Sequence, residues 1–287
     1  MAATNRPPMF KYKYMAHALG GYKGHKYLNN EEAFKYSLSK GHKFFEVDLT
    51  PTEDNVLLLS HGWTKERAEK VGMTYTPEFE HMTKEMFLRQ KLYDMDTMDT
   101  SKLYQYMKKY PDIYLEIDLR SYSDEQAKEE TKEMLEIFHN DESILDRLLV
   151  QTANPSRHQA IDSVYHFKYY QMFIKRGFDE ETFRTLTSYC VENGIWSVAL
   201  SVHDANAETV KRIREMGLWI LCYTTDKYER AEELLKMGVS TICTNTLNPK
   251  LAFKKKIKAI PPVKYLILPP LKLARKLTKK IKKNIMT

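Results

Sequence analysis

Through its first 250 residues the chain alternates short apolar runs with longer amphipathic segments. The apolar runs predict strands at 14–18, 42–49, 112–119, 147–151, 169–174, 196–201, 219–223 and 241–243, with a further extended run at 56–60. Amphipathic spacing predicts helices at 30–40, from 123 to about 138, from about 155 onward, at 206–216 and at 227–237. The last two stop just before Gly217 and Gly238, residues suited to a helix C-terminus. Strands separated by helical segments pair in parallel through right-handed crossovers. Tyr14, Phe44, Tyr114, Leu148, Tyr170, Val198, Ile220 and Ile242 mark eight strand centres. Eight β/α units in about 240 residues predict an α/β fold of the TIM (β/α)8 barrel type. An open doubly wound sheet fits less well, because no glycine-rich dinucleotide loop follows the first strand. Residues 62–99, after the second strand region, are too long for a simple loop and predict an insertion over one face.

Charge divides the chain in two. The formal net charge is +7, from 45 basic and 38 acidic residues, yet residues 250–287 hold thirteen Lys or Arg and no acid. Residues 1–249 therefore carry 32 basic and 38 acidic groups, a net of −6. A barrel at 1–249 with a basic tail at 250–287 follows, and no nucleic-acid partner is expected, since the folded body is not the basic part. Neither a secretion signal nor an apolar run of about 20 residues is evident. Cys190, Cys222 and Cys243 have no metal-type spacing and suit a reducing cytosol, the latter two as small buried hydrophobes.

Candidate chemistry lies where strands end in polar groups, because barrel sites form at the C-terminal ends of strands. The first strand ends Ala16-His17-Ala18, the second Phe45-Glu46-Val47-Asp48, the extended run Ser60-His61, and the next strand Leu115-Glu116-Ile117-Asp118. Side chains two apart on a strand share a face, so Glu46 with Asp48, and Glu116 with Asp118, point together. Such a group of carboxylates calls for a counter-charge. A hard divalent cation, Mg²⁺ or Ca²⁺, supplies it through oxygen ligands. His17 and His61 add groups that titrate near neutral pH and suit acid–base work.

The runs Ala16-His17-Ala18-Leu19-Gly20-Gly21, Asn29-Asn30-Glu31-Glu32-Ala33-Phe34, Phe45-Glu46-Val47-Asp48-Leu49 and Ser60-His61 together resemble the glycerophosphodiester phosphodiesterase family, within the PI-PLC-like phosphodiesterase superfamily. Leu115-Glu116-Ile117 and the segment from Gly238 to Asn245 extend the likeness over most of residues 14–249. The resemblance implies a phosphoric diester hydrolase in which Glu46, Asp48 and Glu116 bind the metal. It implies His17 and His61 as the acid–base pair, without assigning which is which. It also implies that Asn29 holds the phosphate or positions His17, and that Tyr223 occupies a substrate-facing position where the family often has Trp. Two departures stand out. The family usually places Arg directly after the first histidine, where this chain has Ala18, and Lys two residues after the third-strand glutamate, where it has Asp118. Both remove a phosphate-facing cation. Asp118 becomes a possible additional metal ligand, and Arg120 and Lys168 become candidates for the lost cation.

Other polar residues receive plainer readings. His203-Asp204 follows a strand and could reach the site; His25, His42 and His81 are expected to be solvated; Trp63 lines the mouth or packs the insertion. In the tail, Leu273, Leu277, Ile281 and Ile285 recur every four residues among lysines, after Pro-Pro pairs at 261–262 and 269–270. That pattern predicts a basic amphipathic helix at an anionic membrane surface. The expected protein is thus a cytoplasmic enzyme associated peripherally with the inner face of the membrane, cleaving a glycerophosphodiester or a related lipid or polyol phosphodiester. A second reading is a catalytically weak barrel that binds a phosphorylated head group or carbohydrate at that surface.

Overall fold

The computed structural model describes residues 6–251. The expected amphipathic helix of the tail lies outside them. Strand β1 (Tyr14–Ala16) runs into a single 3-10 turn, His17–Leu19, and then to helix α1 (Glu31–Ser39). Strand β2 (Phe44–Pro51) pairs antiparallel with the short β3 (Leu57–Leu59). The predicted insertion follows. It contains α2 (Lys65–Lys70), a 3-10 turn at Pro77–His81, α3 (Lys84–Arg89) and a small hairpin, β4 (Lys91–Leu92) with β5 (Met95–Asp96). The chain then alternates regularly through α4 (Thr100–Lys109), β6 (Tyr114–Leu119), α5 (Asp124–Ile137), α6 (Glu142–Leu145), β7 (Leu148–Thr152) and α7 (Pro155–Asp162). It ends with β8 (Tyr170–Phe173), α8 (Glu180–Glu192), β9 (Ser197–Ser201), α9 (Ala207–Glu215), β10 (Trp219–Tyr223), α10 (Tyr228–Met237) and β11 (Thr241–Thr244).

The neighbour order β1-β11-β10-β9-β8-β7-β6-β2, closed by pairing of β1 with β2, is a parallel eight-stranded barrel. All eight expected strands are present. Helices α4 and α8 go beyond the segments singled out from the sequence. The first strand is shorter than expected, ending at Ala16, because Ala18 and Leu19 take left-handed backbone angles (φ 48° and 63°) that no strand can accommodate. Asn30 lies outside α1 as its N-cap, its side chain accepting from the Ala33 amide, and Gly238 ends α10 in the left-handed conformation.

Alternation along the strands builds the interior. Met15, Phe44, Leu149, Ala199, Leu221 and Cys243 meet inside the barrel. Met9 and Phe10, from a 3-10 turn ahead of β1, join them as a plug; Phe10 stacks on Trp219 at 5.8 Å and meets Phe44 edge-on at 6.3 Å. All three cysteines are buried and unpaired, as the apolar runs around Cys222 and Cys243 imply. His42, expected to be solvated, is instead buried at the entry to β2. Its Nε2 lies 2.9 Å from the Leu247 carbonyl, and burial drives its pKa down to about 4.

The turn after β1 has little room. Gly20 has φ +104°, and a Cβ there would lie 1.9 Å from Ser37 Oγ on α1. Gly24, also at positive φ (+85°), has nothing within 4 Å of such a Cβ. Gly20→Ala is therefore expected to lose about 2–3 kcal/mol in chemical denaturation, and Gly24→Ala only about 1 kcal/mol. Equal losses at the two positions would show that crowding against α1 does not hold this turn.

Candidate active site

Parallel pairing sets the register Glu46↔Glu116 and Asp48↔Asp118 between β2 and β6. Each strand directs two acids inward, so four carboxyl groups share one end of the barrel. Oxygens of Glu46, Asp48 and Asp118 all lie within 4.8 Å of one another. Glu116 stands outside that trio, its Oε1 accepting from the Gln171 amide, while Gln171 Oε1 accepts from Ser197 Oγ at 3.1 Å. The structure therefore brings Asp118, the sequence's additional candidate, into the group of three and gives Glu116 a neutral partner. Burial pushes the Glu46 carboxyl well above the ordinary range, with Asp48 and Glu116 adding repulsion. Glu116 is raised by burial and by Asp118 and Asp48. Asp118 is raised by burial against the pull of Arg120. Asp48 alone is lowered: burial opposes its charge, but His61, Arg67, His17 and the Asn29 hydrogen bond outweigh it. Glu46, Asp48 and Asp118 crowd their oxygens at one point, and that is the donor set a hard divalent cation fits, since its charge removes their mutual repulsion.

Both candidate histidines face this group. His17 Nε2 is 3.9 Å from Glu46 Oε2, and His61 Nε2 is 3.9 Å from Asp48 Oδ1. The left-handed turn places His17: with Ala18 at φ 48°, the Ala18 amide donates to Glu46 Oε2 at 2.5 Å. On the far side of the ring, His17 Nδ1 lies 3.0 Å from Asn245 Oδ1, and Asn245 Nδ2 donates to Asp226 Oδ2 at 3.1 Å. Because Asp226 takes the amide N–H of Asn245, the oxygen faces His17. Nδ1 therefore carries the proton, and the Nε2 lone pair points into the mouth. Asp226 also accepts from Lys26 at 2.5 Å, and despite burial that contact with those of Thr244 and Asn245 lowers its pKa to about 2. Asn29, itself at φ 47°, donates to Asp48 Oδ2 at 2.9 Å and so orients a carboxylate. His61 follows β3, with its side chain 43% exposed; burial lowers its pKa while Asp48 pulls the other way.

Two guanidinium groups border the carboxylates. Arg120 donates to Asp118 Oδ2 at 2.7 Å. Arg67, buried on the insertion helix α2, donates from NH2 to the Tyr27 carbonyl at 2.8 Å, and its charge reaches Asp48 and Glu46. Tyr27 in turn lies edge-on to His17 at 5.1 Å. Lys168, the other candidate cation, instead pairs with Asp146 at 2.9 Å, with both side chains half exposed. Tyr223 stacks on Phe173 at 4.9 Å and donates its hydroxyl to the Ile174 carbonyl at 2.9 Å, which commits its polar end to the rim. Asp204 accepts from the Gly177 amide, a loop contact. Trp63 packs on Phe79 and Phe87 and bonds the Pro51 carbonyl, so it belongs to the insertion, while also lining an outer groove of about 760 Å³. His25 stacks on Tyr93 at 3.6 Å.

Sequence reasoning overlooked Gln171, Asn245, Asp226 and Arg67. A glutamine in the middle of an otherwise apolar strand was the one available signal, since a buried amide needs partners. Arg67 lies in a charged helix with no distinguishing spacing.

No curated protein matches the chain by sequence. Solved structures share the fold. A phosphodiesterase from Oleispira antarctica, determined with the product sn-glycerol-3-phosphate, superposes with a TM-score of 0.69 at 12% identity over 86% of this chain and 97% of its own. A glycerophosphodiester phosphodiesterase from Parabacteroides distasonis gives 0.67 at 17% identity over 86% and 97%. One from Thermotoga maritima gives 0.61 at 16% over 86% and 98%. By sequence, residues 23–248 match the glycerophosphoryl diester phosphodiesterase family, and with that match over most of its length the chain belongs to this family of phosphoric diester hydrolases.

Proposed function

We propose that this chain is a divalent-cation-dependent phosphodiesterase that splits a glycerophosphodiester, or a related lipid or polyol phosphodiester, by histidine acid–base catalysis. The observation that carries the reading is the pair of histidines, each 3.9 Å from a different member of the buried carboxylate trio. Glu46, Asp48 and Asp118 would hold the cation, Mg²⁺ or Ca²⁺, with Glu116 beside them if Gln171 releases it. When bound, such a cation neutralises non-bridging phosphate oxygens and acidifies a nucleophilic hydroxyl.

The chain's own residues do the rest. His17, its Nδ1 proton held by Asn245, presents the Nε2 lone pair and takes the proton from the attacking hydroxyl, of water or of the substrate itself. The new P–O bond forms as the bond to the departing alcohol breaks. His61, more open to solvent and beside Asp48, which favours its protonated form, protonates the leaving oxygen. Asn29 keeps Asp48 oriented throughout. A product like the sn-glycerol-3-phosphate held by the Oleispira antarctica enzyme suits a mouth of this kind. The basic tail, with thirteen cationic residues and no acid from 250 to 287, is read as an anchor on an anionic membrane surface, placing the enzyme on the cytoplasmic side of the membrane near lipid-derived substrates.

Phosphodiester cleavage should be abolished by chelator and should fall by about 10²-fold or more in His17→Ala and Glu46→Ala, assayed on a panel of glycerophosphodiesters with restored Mg²⁺ or Ca²⁺. Full activity in either folded variant would exclude this mechanism.

Metal binding should depend on pH in a definite direction. Glu46, Glu116 and Asp118 are raised in the folded state, so the metal-free protein loses stability as pH rises through those values and the acids ionise. A divalent cation competes with those protons. Its stabilisation in thermal melts should be small at about pH 5 and grow toward about pH 8. Asp118→Asn should lose most of that gain and Glu116→Gln less; a gain independent of pH would rule out the carboxylates as ligands.

In liposome flotation, the full chain should float with anionic vesicles and stay down with neutral ones, and a chain ending at Asn248 should float with neither. Equal flotation of the two chains would remove the anchor from this account.

A further inference from the structure

We propose that Arg67, carried by the insertion rather than by a barrel strand, is a substrate-binding residue whose guanidinium takes the phosphate group at the mouth. This rests on the phosphodiesterase reading above. Arg67 is only 7% exposed. Of its five N–H donors, one is used by the protein, NH2 to the Tyr27 carbonyl. Its Nε is buried with no hydrogen-bond partner, and among the described residues the side chain forms no ion pair. Asp48 and Glu46 lie within reach of its charge but not in contact with it, and a buried guanidinium with unused donors is costly, so a native fold retains one where a ligand completes it.

The neighbouring acids do not complete it, because none of their oxygens lies within ion-pair distance of the guanidinium, and each has a nearer contact. Glu46 takes the Ala18 amide, Asp48 takes Asn29, and Asp118 takes Arg120. Arg120, the other guanidinium of the mouth, gives an N–H to Asp118, whereas the one N–H that Arg67 gives goes to a backbone carbonyl and none goes to a carboxylate. Its position is right for a ligand. The guanidinium carbon lies 5.9 Å from the Tyr27 ring, whose edge faces His17 at 5.1 Å. Lys70 of the same helix places its ammonium 3.7 Å from that ring. Two cations from α2 and the candidate base thus gather around one aromatic ring, beside a cluster of carboxylates. A phosphate is a ligand that a planar fork of donors can take by two hydrogen bonds at once, and the chain's family cleaves phosphodiesters. Anchoring α2 to the Tyr27 carbonyl needs a single N–H, which glutamine or lysine could provide without a buried charge of this shape.

The test uses the full chain, with inorganic phosphate as the probe, by calorimetry and by phosphate-induced thermal stabilisation, beside steady-state kinetics on whichever glycerophosphodiester the wild type cleaves. Arg67→Gln should bind phosphate about 10- to 100-fold more weakly and lose most of the phosphate-induced shift, while melting without phosphate at the wild-type temperature or above. Its kcat/KM should fall by a similar factor, with KM raised. Arg67→Lys keeps the charge and loses the fork, and should be intermediate; it carries the test should Arg67→Gln not fold. Phosphate affinity and KM unchanged in the folded variant would overturn the inference while leaving the phosphodiesterase reading intact. Phosphate binding lost with Arg67, in a protein that cleaves no diester, would instead retain the anion site and remove that reading.

Discussion

Two acids on each of two adjacent, in-register parallel strands confront the barrel with four carboxyl groups at one end, three of them buried, and the surrounding polar structure is arranged around them. Left alone, carboxyl groups at such separations repel one another and become harder to ionise, the direction in which Glu46, Glu116 and Asp118 are shifted. The protein meets this demand locally, one acid at a time. A backbone amide faces Glu46, an asparagine faces Asp48, an arginine faces Asp118 and a glutamine faces Glu116. These contacts orient the acids, but supply only one formal positive charge in direct contact. What remains is a cluster of oxygen donors whose geometry fits a hard divalent cation.

The same constraint explains the unusual backbone around His17. A strand that continued through Ala18 would direct that amide into the sheet. The left-handed turn aims it at Glu46 instead, and the conformational cost is offset by a hydrogen bond to a buried acid. His17 is then fixed from both sides, by the turn that carries it and by the Asn245–Asp226 pair from the other end of the chain. Parallel pairing of β1 with β11 makes that meeting possible, since it brings Ala16 opposite Thr244. Barrel closure and histidine orientation are therefore one event, and a defect in the final strand would be felt at the first.

Much of this was legible in the sequence because it rests on short-range periodicity. Glu46 with Asp48 and Glu116 with Asp118 could be placed on common faces from their spacing of two, and eight apolar runs were enough to count the strands. The barrel followed from those runs without reference to any site. Less legible were contacts that depend on rotamer choice or on distant segments. Spacing alone could not decide that Asp118, rather than Glu116, joins the trio, because both point inward and only the reach of Gln171 separates them. His42 looks like a solvated histidine in Gly41-His42-Lys43, yet the segment after β11 folds across it. Asn245 and Asp226 meet His17 only through closure of the barrel, which no local window contains.

The insertion poses the remaining physical question, which is how a mouth without cations at positions 18 and 118 could accept an anion. Ala18 is fully buried beneath the turn, so a charged side chain could not be presented from there without remodelling it. Asp118 adds negative charge and draws Arg120 onto itself. Positive charge facing the substrate must then come from outside the eight strands, and the segment between β3 and α4 is the one that brings Arg67 and Lys70 to the Tyr27 side of His17. An extra layer of this sort is more easily altered than a barrel strand, because its loops are not bound by the register that fixes the carboxylates. The difference divides the mouth: strands fix the acids, where error in position is least tolerable, and the insertion carries Arg67 and Lys70 on a helix that the strand register does not constrain.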